Sequence, residues 1–247
     1  MLIIRRAAVC VAVLATGCLA AAADSATANH TITNGKVTVR FDPSAGTFAV
    51  FGRSGEGDVL LIKGLRIEGL RSKPGGDLTT AGIKPASVQA EKVKDHVGGG
   101  MRLRCTYRVK QSTVVVSSRI LDDGPGVLFE VRIAGIGTLQ SRVLVPSGTA
   151  LVGGAGRCRV LYHPRMWESS VRDLREAIRG WYSAACYNRT DGVGLVVGAL
   201  NPEPENFVEV RPGAGGVDFR CEAAVSYTHL RAHETSLHLV CRLLLEK

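Results

Sequence analysis

The chain has 247 residues, a formal net charge of +9 and seven cysteines. Its basic residues are scattered as single positions such as Lys36, Arg40 and Lys63, and aromatic residues are not interleaved with them. This pattern predicts no nucleic-acid partner. Residues 29–224 lie between an atypical N-terminal segment and an atypical C-terminal tail, and their number suits one large β domain or two small ones.

Residues 1–28 predict an export signal. Arg5 and Arg6 form a basic start, and the stretch Ala7–Leu19 is apolar. Small residues follow, and cleavage is expected after Ala23 or Ala28. The apolar stretch is too short and too rich in alanine for a membrane span.

Residues 14–18 loosely resemble a bacterial lipoprotein cleavage box, which would attach a lipid to Cys18. Two localisations therefore stay open. The protein is secreted or periplasmic without an anchor, or it is a lipoprotein held through Cys18.

Residues 225–247 resemble a translated sequencing-library adapter rather than natural protein. VSYTHLRAHET corresponds to a transposase end with its flank, and LVCRLLLEK corresponds to a flow-cell primer in the same frame. We therefore exclude this tail from fold prediction and expect the natural protein to continue beyond Ala224. The β domain is predicted over residues 29–224.

Short stretches of alternating apolar and polar residues fill much of this domain, and turn sequences such as Asn34-Gly35 separate them. The alternation predicts strands at Lys36–Phe41, Thr47–Phe51, Val59–Ile62, Leu65–Leu70, Ser87–Val97, Met101–Lys110, Ser112–Leu121 and Val127–Ile133. Gly52–Asp58 is expected to be a turn, and Arg71–Pro85 a surface loop.

The segment from Trp181 to Arg211 predicts a hairpin followed by another strand. An aromatic-led strand, Trp181–Tyr187, precedes a turn at Asp191-Gly192 and the apolar strand Val193–Leu200. We expect Val193–Leu200 to be covered on both faces at the centre of a two-sheet core. Phe207–Val210 is the following strand.

One stretch, Ser170–Arg179, favours a helix, because Val171, Leu174 and Ile178 would share one helical face. The alternative is an irregular loop over a sheet edge. Short strands elsewhere predict an all-β fold, an antiparallel sandwich with at most one short helix.

Four cysteines, Cys105, Cys158, Cys186 and Cys221, lie between the signal and the tail. They form no Cys-x-x-Cys pair, so the sequence predicts no metal site. One or two disulfides and four buried thiols are equal alternatives. No cofactor is predicted, since residues 153–156 lack the Lys-Ser/Thr pair of a phosphate-binding loop.

The acidic residues show no catalytic pattern. Asp122-Asp123-Gly124 is typical of a turn, and Glu203, Glu205 and Glu209 fall in a loop or on a strand face. We predict no catalytic residue in this chain.

Two segments resemble a known family. Asn34 to Asp42, followed by Gly46-Thr47-Phe48, resembles the opening of N-terminal β-supersandwich domains in secreted glycoside hydrolases. The segment from Trp181 to Val210 is similar to the late part of that domain in the α-galactosidase and raffinose-synthase group, family 36 and its relatives. Gly180-Trp181-Tyr182-Ser183 matches only part of that group's Gly-Trp-Gln-Ser-Trp-like stretch.

The resemblance implies a galactose-mutarotase-like sandwich that packs against a catalytic (β/α)₈ barrel, whose two catalytic aspartates would lie beyond Ala224. It implies carbohydrate as the ligand class, Trp167, Trp181 and Tyr182 as substrate-binding residues, and no activity in this fragment. A core or interface role is the alternative for the tryptophans. For the whole chain, the alternative is a stand-alone exported carbohydrate-binding or structural β module.

Overall fold

The computed structural model describes residues 3–14, 30–54, 57–73, 76–109, 112–134, 138–139, 143–152, 157–188, 190, 193–199 and 206–224. Cys18, Glu203, Glu205 and the tail 225–247 lie outside these residues, so the expectations placed on them stay predictions.

The described residues form strands joined by turns and bends. In chain order the strands are β1 (Ile3–Leu14), β2 (Thr31–Thr33), β3 (Val37–Asp42), β4 (Thr47–Ser54), β5 (Gly57–Glu68), β6 (Leu70–Lys73), β7 (Gly76–Leu78), β8 (Ser87–Asp95), β9 (Gly98–Val109), β10 (Ser112–Leu121), β11 (Val127–Ala134), β12 (Thr138–Leu139), β13 (Val143–Ala150), β14 (Cys158–Arg165), β15 (Glu168–Asp173), β16 (Ile178–Trp181), β17 (Ser183–Asn188), β18 (Val193–Ala199), β19 (Phe207–Gly213) and β20 (Gly216–Ala224).

These strands build two large antiparallel sheets. The first sheet has nine strands in the order β15-β14-β17-β18-β1-β11-β10-β9-β8. The second sheet has eight strands in the order β16-β19-β20-β13-β5-β4-β3-β2. A small third sheet joins β12, β6 and β7. The predicted all-β antiparallel sandwich is therefore confirmed.

The core lies between the two large sheets, and the alternation of the sequence selects the side chains that enter it. In β9, Leu103, Cys105 and Tyr107 are fully buried, while Arg104 and Thr106 between them are partly exposed. Successive strand residues point to opposite faces, so this spacing gives each strand one apolar side. Full burial of one large apolar side chain contributes roughly 1.5–3 kcal/mol.

An aromatic cluster joins the two sheets through the core. Phe41 and Phe48 of the second sheet pack with ring centroids 4.8 Å apart. Phe48 also meets Phe129 of the first sheet, so the cluster bridges both layers.

The prediction of a helix at Ser170–Arg179 was wrong. This segment contains β15, a bend at residues 174–176 and the start of β16. Leu174 and Ile178 are buried, but Val171 is 48% exposed, so the three do not share one face. Their helix-like spacing arises because the chain crosses from the edge of the first sheet to the edge of the second.

The predicted hairpin is present, but its first strand is shorter than expected. β17 and β18 pair antiparallel from Ser183 opposite Gly198 to Asn188 opposite Val193. Trp181 belongs instead to β16 of the second sheet. β18 is an interior strand, yet Val196 is only partly buried, so the expected cover on both faces is incomplete.

Other boundaries also differ from the sequence expectations. The two short strands expected before residue 71 are one strand, β5, which carries a register shift in its pairing with β13. The expected loop Arg71–Pro85 contains most of β6 and all of β7. The first difference arises because Gly64, with a φ of 65°, lies inside β5 rather than at the end of a strand. The second arises because β6 and β7 pair with each other as a short antiparallel ladder.

Residues 3–14 of the predicted export signal form β1, which occupies a central position in the first sheet. β1 pairs antiparallel with β11 on one side and with β18 on the other. Export and cleavage stay predictions, and the pairing describes the chain with residues 3–14 attached.

Within the described ranges, no helix has the length and apolar character needed to cross a bilayer.

Candidate functional site

The outer side of the second sheet carries polar, charged and aromatic side chains aligned in rows across the strands. We call this surface the mixed-charge face; its members are Arg66, Glu68, Ser147, Thr149, Arg179, Trp181, Phe207, Glu209, Arg211, Asp218, Arg220 and Glu222. One row runs through the paired positions Arg179, Glu209, Arg220, Ser147 and Arg66. Basic and acidic residues therefore stand side by side on neighbouring strands.

Four of these charged side chains form one connected ion-pair chain. Arg179 Nη2 lies 2.5 Å and Arg220 Nη2 lies 2.8 Å from the two carboxylate oxygens of Glu222. Arg220 Nε lies 3.4 Å from Glu209 Oε1. Because each charge is paired with a neighbour, the side chains are held in place above β16, β19 and β20.

A small groove of about 160 Å³ opens in the middle of the mixed-charge face. Ser147 Oγ donates to Glu68 Oε1 at 2.8 Å, and Thr149 Oγ1 donates to Asp218 Oδ1 at 2.7 Å, along its walls. Gly148 lies in the lining, and a Cβ there would sit 3.1 Å from the Phe219 ring. The groove is smaller than the roughly 300 Å³ at which drug-sized ligand pockets begin, so it suits one small polar group.

An aromatic pair closes one end of the same face. The rings of Trp181 and Phe207 pack with centroids 4.4 Å apart and planes tilted by 47°. The guanidinium carbon of Arg179 lies 4.2 Å from the centre of the Phe207 ring. An aromatic pair thus adjoins the ion-pair chain.

Tyr182 holds the chain at the corner between the two sheets. It has a φ of 59°, and it is the only described non-glycine residue with a positive φ. Its N–H donates to the Asn206 carbonyl at 3.0 Å, and its carbonyl accepts from the Ala199 N–H at 2.8 Å. These two hydrogen bonds stabilise a backbone conformation that residues other than glycine rarely adopt. They also fix the position of Trp181, the residue before Tyr182.

Trp167 lies on the other sheet, at the tip of the hairpin between β14 and β15. Its side chain is 91% exposed. Arg165 and Glu168 form a 2.7 Å ion pair that flanks the tip. His163 Nδ1 lies 3.2 Å from both the Glu168 carbonyl oxygen and Ser169 Oγ.

Four side chains on the outer side of the first sheet near this hairpin are apolar, beside the Arg159–Asp173 ion pair. Leu161 is 45% exposed and lies opposite Val171 on β15 and Ala185 on β17. Tyr187, two residues along β17, is 44% exposed. We call Leu161, Val171, Ala185 and Tyr187 the apolar row.

The structure brings two of the three predicted site residues together. Trp181 and Tyr182 are neighbours with ring centroids 6.2 Å apart, whereas Trp167 belongs to the opposite sheet. The sequence did not single out Arg179, Phe207, Arg220 or Glu222. The sequence signal that could have found them is in β20, where the charged residues Asp218, Arg220 and Glu222 alternate with apolar ones and so share one face.

The described residues offer no cluster of three or more His, Cys, Asp or Glu side chains arranged to hold a metal ion. Asp122 and Asp123 lie in the bend between β10 and β11, as the sequence predicted for a turn. The carboxylates of the mixed-charge face make hydrogen bonds or ion pairs with residues of the same sheet.

The sequence matches no family model and no curated protein.

Proposed function

We propose that this protein is the non-catalytic β-sandwich domain of an exported, α-galactosidase-like glycoside hydrolase, and that its mixed-charge face contacts carbohydrate. The observation that carries the proposal is the packing of Trp181 against Phe207 beside the ion-pair chain of Arg179, Glu222 and Arg220.

The chemistry of a sugar ring fits this combination of groups. One face of a pyranose is apolar and packs on an aromatic ring, while its hydroxyls exchange hydrogen bonds with polar side chains. The ion-paired residues present charged donors and acceptors, which form stronger hydrogen bonds than neutral groups do. Aromatic surface with a few fixed polar groups is the usual composition of a small-molecule site.

The apolar row supports a second contact, with a catalytic barrel as the partner. Leu161 and Val171 are exposed side by side, and packing against another protein would remove their apolar surface from water. Trp167 projects from the adjoining hairpin and would extend that contact or reach the sugar site of the barrel. The two sheets would then have separate roles.

Catalysis would belong to the barrel. A retaining glycosidase needs two carboxyl groups about 5–5.5 Å apart on either side of the sugar, one of them free to act as an acid. Glu222 is held by two arginines and Glu68 by Arg66 and Ser147. These carboxylates are therefore suited to hydrogen bonding with a ligand rather than to proton transfer.

A stand-alone carbohydrate-binding module is the second candidate, and the exposure of Arg179 (49%) and Arg211 (61%) on the mixed-charge face favours it. Sequencing the source DNA across the codon for Ala224 separates the two candidates. A barrel-length continuation with two catalytic aspartates supports the accessory-domain proposal, and a natural stop codon soon after Ala224 supports the module.

Affinity electrophoresis of the purified chain in gels containing galactomannan tests carbohydrate binding. We expect retardation of the wild type, and Trp181→Ala and Phe207→Ala variants should bind about tenfold more weakly, a loss of about 1.4 kcal/mol. Trp181→Phe should keep most of the binding, and Tyr187→Ala is the matched control on the other sheet. Equal retardation of the wild type and the Trp181→Ala variant would contradict the proposed site, and hydrolysis of a p-nitrophenyl α-galactoside would contradict the absence of catalysis.

A further inference from the structure

The outer side of the second sheet carries the same arrangement of side chains twice. In the first arrangement the guanidinium of Arg179 lies over the Phe207 ring, and one carboxylate joins that guanidinium to a second arginine. We call this arrangement the first stacked unit; its members are Arg179, Phe207, Glu222 and Arg220. It contains the ring and the ion pairs on which the proposed sugar contact rests.

The second stacked unit lies on β3, β4 and β5, and its members are Arg40, Phe51, Asp58 and Arg53. The guanidinium carbon of Arg40 lies 4.4 Å from the centre of the Phe51 ring, close to the 4.2 Å of the first unit. Asp58 holds Arg40 at 3.0 Å through one carboxylate oxygen and Arg53 at 3.7 Å through the other. A ring, two arginines and one acidic side chain therefore make the same set of contacts in both units.

The second stacked unit faces solvent on the same side of the sheet as the first. Arg40 alternates along β3 with Val39 and Phe41, which are buried in the core, so its side chain points away from the core. The Phe51 ring and the Asp58 carboxylate contact Arg40, which places them on the outer side as well. The Arg40 side chain is 37% exposed, so a ligand from solvent can reach it.

The two stacked units lie at opposite ends of a path that passes over the groove. β19, which carries Phe207, and β4, which carries Phe51, are four places apart in the sheet order. At the usual strand spacing of about 4.8 Å, the two rings are about 19 Å apart across the strands. The strands between them carry the Ser147 and Thr149 hydroxyls that line the groove. A single sugar ring is about as wide as one aromatic ring, so only a chain of several sugars reaches both units.

The charges along this path are paired, which favours a neutral ligand. Six arginines have an acidic partner within 3.7 Å on the same sheet: Arg40, Arg53, Arg66, Arg179, Arg211 and Arg220. A polyanion gains affinity mainly from basic groups that it neutralises, and a surface of ion pairs offers little of that gain. Neutral hydroxyls bond to ion-paired groups without separating them, and such charge-assisted hydrogen bonds are stronger than neutral ones.

A sugar chain also fits these side chains better than a covering protein surface does. Packing protein against them would remove water from the ion pairs, and this desolvation costs free energy unless each charged group finds a replacement hydrogen bond. Each hydroxyl of a sugar both donates and accepts, so a polysaccharide supplies such bonds along its whole length.

We propose that the outer side of the second sheet binds one extended, neutral polysaccharide chain, and that the second stacked unit is a sugar subsite at one end of it. The chain lies from the first stacked unit over the groove to the second. This inference rests on the proposed carbohydrate-binding function, because the first unit belongs to the contact assigned there. Binding at one unit raises the effective concentration of the chain at the other, so affinity increases with chain length until both units are filled.

Affinity electrophoresis of the full chain in galactomannan gels tests the second subsite. We expect Phe51→Ala and Arg40→Ala to bind about tenfold more weakly than the wild type, whereas Phe51→Tyr, which keeps the ring, should bind within about twofold of it. Arg40→Lys keeps the charge but loses the planar guanidinium, so it should weaken binding as Arg40→Ala does. Arg40→Ala leaves the ring in place and so tests the unit even if Phe51→Ala lowers stability. Tyr187→Ala and Arg108→Ala, which remove a ring and an arginine from the first sheet, are the matched controls and should migrate like the wild type.

Isothermal titration calorimetry distinguishes one spanning chain from two separate ligands. The probes are a galactomannan oligosaccharide long enough to cover both units and the disaccharide of the same backbone. We expect one long oligosaccharide per protein, bound at least about tenfold more tightly than the disaccharide. Phe51→Ala should bring the affinity for the long oligosaccharide close to that for the disaccharide. Two long oligosaccharides per protein, or equal affinity for the two probes in the wild type, would overturn the spanning chain.

The outcomes separate this inference from the proposed function. Retardation that is weakened by Trp181→Ala but unchanged in Phe51→Ala and Arg40→Ala overturns the second subsite and leaves carbohydrate binding intact. A wild type that is not retarded by galactomannan overturns the proposed carbohydrate contact, and the second subsite with it. Stronger retardation by polygalacturonate than by galactomannan overturns the assignment of a neutral chain.

Discussion

The rings of Phe48 and Phe129 meet edge to face across the two sheets, with centroids 5.3 Å apart and planes at 89°. Phe48 is 1% exposed and Phe129 is fully buried. We expect Phe129→Ala to lower the free energy of unfolding by about 3–5 kcal/mol, because it removes buried apolar surface and leaves a cavity. Urea denaturation measures this loss, and the surface variant Tyr187→Ala should change stability by less than about 0.5 kcal/mol. A similar loss in both variants would contradict the assignment of Phe129 to the core.

The hydroxyl of Tyr107 is buried and has no hydrogen-bond partner among the described residues. Burial raises the pKa of this hydroxyl, so the group stays neutral as well as unpaired. An unpaired buried polar group is costly, so we expect Tyr107→Phe to match the wild-type stability or exceed it by about 1 kcal/mol in thermal and urea unfolding. Tyr107→Ala should lose about 3–5 kcal/mol, which shows that the ring itself is required. A marked loss in the phenylalanine variant would reveal a bond to this hydroxyl.

Asp42 contributes stability that depends on pH. Its Oδ1 accepts from Ser44 Oγ at 2.6 Å and from the N–H groups of Ser44 and Ala45. The Ser44 hydroxyl, partly opposed by burial and aided by the two amides, lowers the pKa of Asp42 below its ordinary value of 3.8. Folding therefore favours the carboxylate, and its contribution is present above pH 3.8 and lost as the pH falls through the lower folded value.

The variant Asp42→Asn isolates this contribution. We expect the difference in urea midpoint between wild type and variant to be largest near neutral pH and to shrink below about pH 3. Ser44→Ala, which removes the hydroxyl donor alone, should give an intermediate difference. A constant difference between pH 7 and pH 2 would show that the carboxylate charge has no role in this turn.

Four buried cysteines, Cys105, Cys158, Cys186 and Cys221, are present as thiols in the structure. Burial raises the thiol pKa of Cys105, Cys186 and Cys221, which suppresses the reactive thiolate. We expect alkylation at pH 8 to leave all four unmodified in the folded protein and to modify all four in urea, as read by peptide mass spectrometry. A Tyr187→Cys variant supplies an exposed control thiol that should react at once. If the four cysteines resist alkylation in urea until a reductant is added, the disulfide alternative is favoured.

The backbone of Tyr182 gives a further prediction. A residue with a φ of 59° tolerates glycine or asparagine, whereas a β-branched residue is strongly disfavoured there. We expect Tyr182→Val to lose about 1–2 kcal/mol more stability than Tyr182→Asn in urea unfolding. The valine variant should also bind galactomannan more weakly, since the corner positions Trp181. Equal stability of the two variants would show that the backbone at residue 182 can change its φ without lowering the free energy of unfolding.

The strands that local sequence could predict are those with regular alternation and a distinct turn. The hairpin of β17 and β18 was predicted because Asp191-Gly192 separates two apolar stretches. The segment Ser170–Arg179 was misread because Leu174 and Ile178 are buried in a crossing between sheets, which imitates helical spacing. Local periodicity does not distinguish these two causes of burial.

The mixed-charge face was beyond prediction for a different reason. Its rows depend on which strands pair and in what register, as when Ser147 lies between Arg66 and Arg220. These residues are distant in the sequence, so their charges looked scattered along the chain. Trp181 was singled out from its local motif, but Phe207, its ring partner, became visible only through the pairing of β16 with β19.

The order in which strands of the two large sheets follow one another along the sequence limits how genes for such a domain can recombine. β13, β16 and the pair β19–β20 of the second sheet alternate along the sequence with strands of the first sheet. Any crossover point between β8 and β18 would therefore divide both layers between two parent sequences. Recombination that preserves folding must transfer the interval from β8 to β18 whole, and new specificities must arise by point substitution on the outer surfaces.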